Sequence, residues 1–260
     1  KICIMHRAYD LHALPTFSQK VARAVVDEAH ASGLRVFAHA HWNADYRVAL
    51  AAGVDALMHS AFDPLDAETV ARVADAGIPV CPTLWVFHSG CLGAEQRWDR
   101  DPERVAGLTA PVRRSWRRFA EAYQFSGEVL PEAAARLGIT NALANLLLLR
   151  EKKVPFAYGS DGPYGFSTVF RPFEELSLFS GVGFGVEECL RTATLGAAEL
   201  LGLRDRGAVR LGAVADLIWL DGDLTRDLSA LRRVSGVLRS GVLVPLHVAP
   251  SDRARAAVRR

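Results

Sequence analysis

The stretch VFAHAHWNADYRVALAAGVDALMH, residues 36–59, decides the fold class. A run of β-forming residues ends at His39, a helix-patterned segment follows and stops at Gly53, and a second apolar run ends at His59. Two histidines thus stand at the carboxyl ends of two successive predicted strands that one helix separates. In a barrel of parallel strands, catalytic groups gather at that edge. The stretch predicts an α/β fold with a site at the carboxyl ends of its strands.

The same alternation of strand and helix patterns extends to both sides. Residues 1–5 are a short apolar run, and Thr16 with Gln19 forms a capping-box pattern that predicts the start of a helix. A third helix–strand unit covers residues 66–84, with its strand at 78–84. Strand–helix–strand passages of this length imply parallel strands with right-handed crossovers.

The second half of the chain places helices around one more strand. That strand, at 154–158, runs into the turn Gly159-Ser160-Asp161-Gly162. The helices are predicted at about 102–123, 131–151, 172–180 and 186–201. The first of them is rich in arginine, which is typical of an amphipathic surface helix. The alternative is a lid, because a long insertion after a barrel strand lies on the catalytic face.

From Gly207 the hydrophobic pattern changes to a period of two, which indicates short strands. These strands are predicted at 208–211, 216–220, 234–239 and 242–247. We therefore expect an α/β domain over residues 1–204, a small β-unit over 205–250 and a basic tail over 251–260.

Composition excludes several classes of function. The 31 basic and 29 acidic residues leave a net charge of +2, so no polyanion-binding surface is expected and nucleic acid is not a predicted partner. No apolar run approaches the ~18 residues that a membrane span needs. The four cysteines form no CxxC pair and are interpreted as buried or incidental thiols. A cytoplasmic location is favoured, but the chain opens on Lys1 inside an apolar run, as if cut through a strand, so a signal peptide cannot be judged.

Three side chains could converge on a metal ion. His39, His59 and Asp161 each follow a predicted strand at the same edge, and a hydrolytic metal centre needs neutral imidazoles and carboxylates that leave a coordination position for water. For Asp161 the alternative is a role as the cap of the next segment.

His41 leaves two interpretations open. In His39-Ala40-His41, side chains two apart on a strand point the same way, so both histidines could be ligands. If the strand ends at Ala40 instead, His41 belongs to the loop and would contact substrate or nothing.

Several motifs together resemble the C-terminal two-thirds of the metal-dependent amidohydrolases, in particular the branch that contains imidazolonepropionases and Xaa-Pro dipeptidases. The match runs over nearly the whole chain, and its order and spacing are more specific than any one motif. The motifs are the Lys1-Ile2 strand start, VVDEAHASGLRVFAHA (25–40), AGVDALMHS (52–60), Pro82-Thr83-Leu84, Gly159-Ser160-Asp161, ATLGAAELLGL (193–203) and GAVADLIWLDGD (212–223).

The resemblance implies a fold and a ligand set. The fold would be α/β, a partial (β/α)8 TIM barrel of about strands four to eight, with a small C-terminal β-sandwich portion. His39 and His59 would be the ligands on strands five and six, and Asp161 the strand-eight aspartate that binds metal and takes a proton from the nucleophilic water. Lys1 falls at the family's strand-four lysine, which is commonly carbamylated and bridges two metals. One or two divalent ions are implied, with zinc the first expectation.

The family also has an HxH pair on its first strand, which would lie upstream of Lys1. We therefore expect the chain to be a fragment or a truncated gene product. For the complete protein, the resemblance implies hydrolysis of an amide or peptide-like C–N bond by metal-activated water, with Asp161 as general base. The alternative is a catalytically incompetent barrel portion that serves as a binding or assembly module.

The substrate is expected to be a small amide or peptide-like molecule. Specificity is set by the loops after the strands. In those loops His41, Trp42 and Tyr164 are the candidate substrate contacts, and their aromatic surroundings suggest an apolar or aromatic group beside the scissile bond. A homo-oligomer is compatible with the sequence.

Overall fold

The structure is a computed structural model that describes residues 1–8, 12–94, 108–125, 132–162 and 172–245. Within these ranges a parallel sheet of four strands is followed by a separate antiparallel sheet of three. In chain order the first part contains β1 (Ile2–Cys3), α1 (Gln19–Ala31), β2 (Phe37–His39), α2 (Asn43–Ala52), β3 (Ala56–Met58), α3 (Ala67–Ala76), β4 (Val80–Cys81) and α4 (Leu84–Ala94). It continues with α5 (Ala110–Phe125), α6 (Glu132–Glu151), α7 (Pro172–Gly181), α8 (Val186–Arg191), a π-helical turn (Thr192–Gly196) and α9 (Ala197–Leu201).

The parallel sheet confirms the predicted α/β arrangement. Its strands lie in sequence order, β1-β2-β3-β4, and their carboxyl ends are aligned because Cys3 pairs with His39, and His39 with Met58. The strand predicted at 154–158 lies beside β4, where the Val80 N–H donates to the Pro155 carbonyl (2.9 Å). The pairing there is a single parallel bridge between Val80 and Phe156, so the paired part of this fifth segment is shorter than the predicted strand.

The first helix begins later than the capping box predicted. Ser18 is its N-cap, and the Ser18 hydroxyl accepts the Val21 N–H at 3.3 Å. The Thr16 hydroxyl instead accepts the Met5 N–H (3.1 Å). Thr16 therefore joins the loop to the end of β1, a role that its local sequence does not reveal.

The strand predicted at 78–84 is wrong in its second half. β4 ends at Cys81 and α4 begins at Leu84, three residues later. The first N–H groups of a helix need acceptors from outside that helix. Here the Glu175 carboxylate, from α7, accepts the N–H groups of Leu84 and Trp85. A contact across 90 residues thus favours helix where the local apolar run favoured strand.

The core lies between the parallel sheet and the helices that cover it. Its largest fully buried side chains include Tyr46 from α2, Leu57 from β3, Leu146 from α6 and Phe179 from α7. The rings of Phe156, Phe179 and Phe184 pack edge to face with centroids 5.0–6.0 Å apart, which fixes the fifth segment against α7.

The predicted arginine-rich helix is present as α5. Trp116 is buried, while the arginines of the helix, Arg113, Arg114, Arg117 and Arg118, are exposed. This agrees with an amphipathic surface helix. Residues 95–107 of the insertion lie outside the described ranges.

The C-terminal sheet consists of β5 (Leu217–Leu220), β6 (Val234–Arg239) and β7 (Val242–Val244), all antiparallel, with a 3₁₀ helix at Leu228–Arg232. A strand predicted at 208–211 is wrong, because this segment is exposed and pairs with no described strand. Residues 246–250 and the basic tail, 251–260, lie outside the described ranges.

The described cysteines Cys3, Cys81 and Cys189 are free thiols. No helix in the described ranges is long and apolar enough to span a membrane.

Candidate metal centre

Three imidazoles meet at the carboxyl edge of the parallel sheet. One ligand atom from each of His39, His41 and His59 lies within 4.8 Å of the others. Their ring centroids are 4.4–4.7 Å apart. We call these three residues the histidine cluster. It is the group of potential metal ligands that the described residues bring together, and it lies at the ends of β2 and β3.

His59 is held from both sides of its ring. Its Nδ1 lies 2.7 Å from the Thr83 hydroxyl, and its Nε2 lies 3.3 Å from Lys1 Nζ. Burial, the His39 ring and the Lys1 charge lower the pKa of His59 to about 2. The imidazole is therefore neutral at physiological pH, as metal binding requires.

His39 presents an unsatisfied nitrogen. Its Nε2 is buried and has no hydrogen-bond partner within the part of the chain that the structure describes. Burial and the Lys1 charge lower the pKa of His39 to about 4, so the ring is neutral at neutral pH, and Nε2 is an acceptor in the tautomer that carries its hydrogen on Nδ1. A buried acceptor without a partner costs free energy unless a donor or a cation satisfies it.

His41 is fully buried. Its ring stacks on His59 (4.7 Å) and on Phe62 (5.2 Å), and its Nδ1 lies 3.4 Å from the Ser60 carbonyl oxygen. Burial lowers the pKa of His41 well below its usual value. The structure therefore places His41 in the histidine cluster, and whether it binds metal or contacts substrate stays a prediction.

Asp161 lies in the turn after the fifth segment, where that segment comes close to the end of β4. A Cβ added to Gly159 would lie closer than 3.0 Å to Cys81 Sγ, a distance that real Cβ atoms essentially never show, so this turn packs directly against the end of β4. Asp161 is an exposed residue, but partial burial of its carboxyl group raises the pKa, and the nearby positive charge of Lys1 opposes that shift. Asp161 is thus within electrostatic reach of Lys1, although its oxygens lie outside the 4.8 Å group.

Backbone strain is concentrated at this edge. His59 (φ 74°), Thr83 (φ 49°) and Asp161 (φ 49°) are three of the five described non-glycine residues with positive φ. They lie within three residues after β3, β4 and the fifth segment, respectively. Such conformations are costly for residues with a Cβ, and they persist where the surrounding structure imposes them.

Sequence reasoning missed Asp45, which joins two loops beside the histidine cluster. Its buried carboxylate accepts the N–H groups of His6, His41 and Trp42, each at 3.1 Å, and contacts His6 Nδ1 at 2.5 Å. Asp45 lies three residues after the N-cap of α2, but the N-cap is Trp42, which is not a capping-box residue, so no local signal identified Asp45.

The remaining predicted substrate contacts have different outcomes. Trp42 is buried, and its indole N–H donates to the Arg7 carbonyl (2.9 Å). Tyr164 lies outside the described residues. Both stay predictions as substrate contacts.

The comparisons with known proteins agree on a family. Residues 2–244 match the model of the amidohydrolase family. No curated protein matches the sequence significantly.

Several solved structures are similar to the chain. A prolidase complexed with N-methylphosphonate-L-proline is 25% identical with a TM-score of 0.69, over 93% of this chain and 53% of that one. A Xaa-Pro dipeptidase with methionine bound in its active site is 23% identical with a TM-score of 0.70, over 94% and 54%. A putative prolidase from Bifidobacterium longum is 23% identical with a TM-score of 0.70, over 99% and 60%.

The chain therefore spans between half and two-thirds of the length of these structures. Their similarity supports an α/β fold of the amidohydrolase type, for which a (β/α)8 barrel is implied. Because the family model covers nearly the whole sequence, the chain belongs to the amidohydrolase family.

Proposed function

We propose that the chain supplies about strands four to eight of a (β/α)8 barrel in a metal-dependent hydrolase that cleaves amide or peptide-like C–N bonds. One observation carries the proposal: three neutral imidazoles converge within 4.8 Å at the carboxyl edge of the parallel sheet, and His39 Nε2 is buried without a partner there. Membership of the amidohydrolase family supports the reaction class.

The residues present fit a divalent metal. His39 and His59 would hold it, and His41 is the third imidazole within reach. Imidazole nitrogen suits zinc, and also iron, nickel and copper. When bound, the metal lowers the pKa of a water molecule toward neutrality and polarises the substrate carbonyl.

Lys1 is the proposed partner of a second ion. Its Nζ lies 3.3 Å from His59 Nε2, so as an ammonium it competes with metal for that nitrogen. Carbamylation would replace the positive charge by a carboxylate-like group and turn the competitor into a ligand. Mass spectrometry of the intact protein in bicarbonate, under native conditions, should show the added CO2, and a Lys1→Gln variant should lack it.

Asp161 is the proposed general base. It would accept the proton of the attacking water and pass it to the departing nitrogen. Burial already raises the pKa of its carboxyl group, which strengthens it as a proton acceptor. Catalysis by a positioned carboxylate typically contributes 10²–10⁴-fold to the rate.

We propose dipeptides, N-acyl amino acids or cyclic amides as the substrate class. The Phe62 ring stacks on His41, and the Phe87 ring meets both of them edge to face, 4.5 Å from Phe62 between centroids, which gives the inner wall of the site an aromatic character. Such a wall favours an apolar group beside the scissile bond.

Metal analysis of the complete protein, with a hydrolysis screen of dipeptides and N-acyl amino acids, tests the proposal. We expect a bound transition metal, its loss in His39→Asn, and loss of activity in Asp161→Asn. His30→Asn is the matched control, because His30 is paired with Asp55 (2.8 Å) outside the histidine cluster. A protein without metal, or an Asp161→Asn variant with full activity, would contradict the proposal and favour the inert binding module.

A further inference from the structure

A buried carboxylate is connected to the histidine cluster through the turn between β4 and α4. Glu175, on α7, is fully buried, and its two oxygens accept the N–H groups of Leu84 (2.9 Å) and Trp85 (2.6 Å). These N–H groups open α4 and have no acceptor in their own helix. Both oxygens of the Glu175 carboxyl group keep lone pairs for these N–H groups whether or not the group is ionised, so this group fixes the residue at which α4 begins.

Thr83 lies directly before α4 and carries the connection to His59. Its hydroxyl is 2.7 Å from His59 Nδ1, and its side chain is buried. Its φ of 49° is strained for a β-branched residue. A displaced start of α4 would therefore release the strain and move the hydroxyl away from His59.

The hydrogen bonds on the two sides of the His59 ring determine its tautomer. An ammonium group donates hydrogen bonds and cannot accept them, so Lys1 Nζ donates to His59 Nε2 (3.3 Å). Nδ1 then carries the ring hydrogen, and the Thr83 hydroxyl oxygen accepts it. The lone pair is left on Nε2, the nitrogen that faces Lys1. A partner on the other ring nitrogen is what fixes the tautomer and orientation of histidine ligands.

We propose that Glu175 and Thr83 are positioning residues of the metal site. Glu175 anchors the first turn of α4, and Thr83 in turn holds His59 so that the lone pair of Nε2, to which Lys1 donates, can bind a cation in place of Lys1. This inference rests on the proposed function for its consequence, metal affinity. Its structural part, the tautomer of His59, can be measured without metal.

The first experiment removes only the hydroxyl. Thr83→Val keeps the branched shape, whereas Thr83→Ser keeps the oxygen and is the matched control. We expect the Kd for Co²⁺, titrated by its visible absorption in the complete protein, to rise about 10–100-fold in Thr83→Val and to stay near the original value in Thr83→Ser. Nitrogen-15 NMR of the histidine rings should show the hydrogen on His59 Nδ1 in the unsubstituted protein, and the Nδ1 resonance should shift in Thr83→Val because that hydrogen loses its acceptor.

The second experiment tests whether Glu175 acts through Thr83. Glu175→Gln keeps one acceptor and turns an amide donor toward the other N–H, so we expect weaker Co²⁺ binding. Glu174→Gln is the matched control, because the neighbouring Glu174 carboxylate lies 3.9 Å from Arg232 and not at the start of α4. Residues in one chain of contacts give non-additive effects. The double variant Thr83→Val/Glu175→Gln should therefore bind Co²⁺ about as weakly as Thr83→Val alone.

Each outcome decides between distinct conclusions. Unchanged His59 ring shifts in Thr83→Val would overturn the positioning role, whether or not metal binds. A protein that binds no Co²⁺ but shows the expected tautomers would refute the proposed function and leave the positioning of His59 supported. If Glu175→Gln does not fold, Glu175→Asp, which shortens the side chain, should give the same shift of the His59 Nδ1 resonance. Additive effects in the double variant would refute the link from Glu175 to Thr83.

Discussion

Alanine at Gly159 should destabilise the protein because the new methyl group has no room. The added Cβ would lie closer than 3.0 Å to Cys81 Sγ, which is a steric overlap, and 3.7 Å from Thr83 Cγ2. Cys81 is only 2% exposed and ends a strand that is paired on both sides, so its thiol cannot turn away into solvent.

The expected cost follows from this overlap. Overpacking a core position by a methyl group costs roughly 1–3 kcal/mol. Alanine also restricts the unfolded chain relative to glycine, which returns about 0.4–1 kcal/mol where the backbone conformation suits both. We therefore expect Gly159→Ala to lower the free energy of unfolding by about 1–2 kcal/mol.

Urea denaturation followed by fluorescence measures this change. Gly181→Ala is the control, since no atom lies within 4 Å of its added Cβ, and we expect it to be neutral or slightly stabilising. Removing the thiol should make room, so Cys81→Ala and Gly159→Ala should be coupled, the double variant being more stable than the sum of the two single effects predicts. Full stability of Gly159→Ala, or strictly additive effects, would refute the reasoning.

Three further outcomes are expected. Burial raises the pKa of Glu175 to about 8, above the usual 4.5, so the folded state binds the carboxyl proton more tightly than the unfolded chain does. The stability that this proton contributes is fully present below about pH 4.5 and is lost as the pH rises toward 8. At 1.36 kcal/mol per pKa unit, this contribution is about 5 kcal/mol at most. Urea denaturation across this pH range should show that the free energy of unfolding depends less on pH in Glu175→Gln than in the unsubstituted protein. An equal dependence would contradict the raised pKa of Glu175. Asp45→Asn should cost about 3 kcal/mol in the same assay, because four donors lose a buried carboxylate, whereas exposed Asp75→Asn should change little. Zinc at about 100 times its Kd should stabilise the folded protein by about 2.7 kcal/mol in thermal denaturation, and no such gain is expected for His39→Asn; an equal gain there would place the metal elsewhere.

The elements that sequence alone identified are those specified by local signals. The β-forming run before His39, the glycine stop at Gly53 and the N-cap at Asp66 each depend on residues a few positions apart, and the structure places β2, α2 and α3 accordingly. The strand ends that carry His39 and His59 could therefore be predicted together with the elements.

The parts that sequence missed depend on contacts between distant residues. Glu175 lies 90 positions from Trp85, and no pattern near either residue indicates that a carboxylate starts α4. His6 meets Asp45 across 39 positions for the same reason. A buried carboxylate is stable only with donors from several elements, so its place depends on the whole fold.

The positive φ angles at the carboxyl edge have a consequence for engineering this protein. Each strained residue stores of the order of 1–3 kcal/mol, and glycine at the same position would release much of it. At His59, Thr83 and Asp161, however, the side chains are the proposed ligand, its support and the base. Selection for thermal stability alone should therefore enrich glycine at the exposed Asp161, and those more heat-resistant variants would be the less active ones. At the buried His59 and Thr83, the cavity that glycine leaves offsets the released strain.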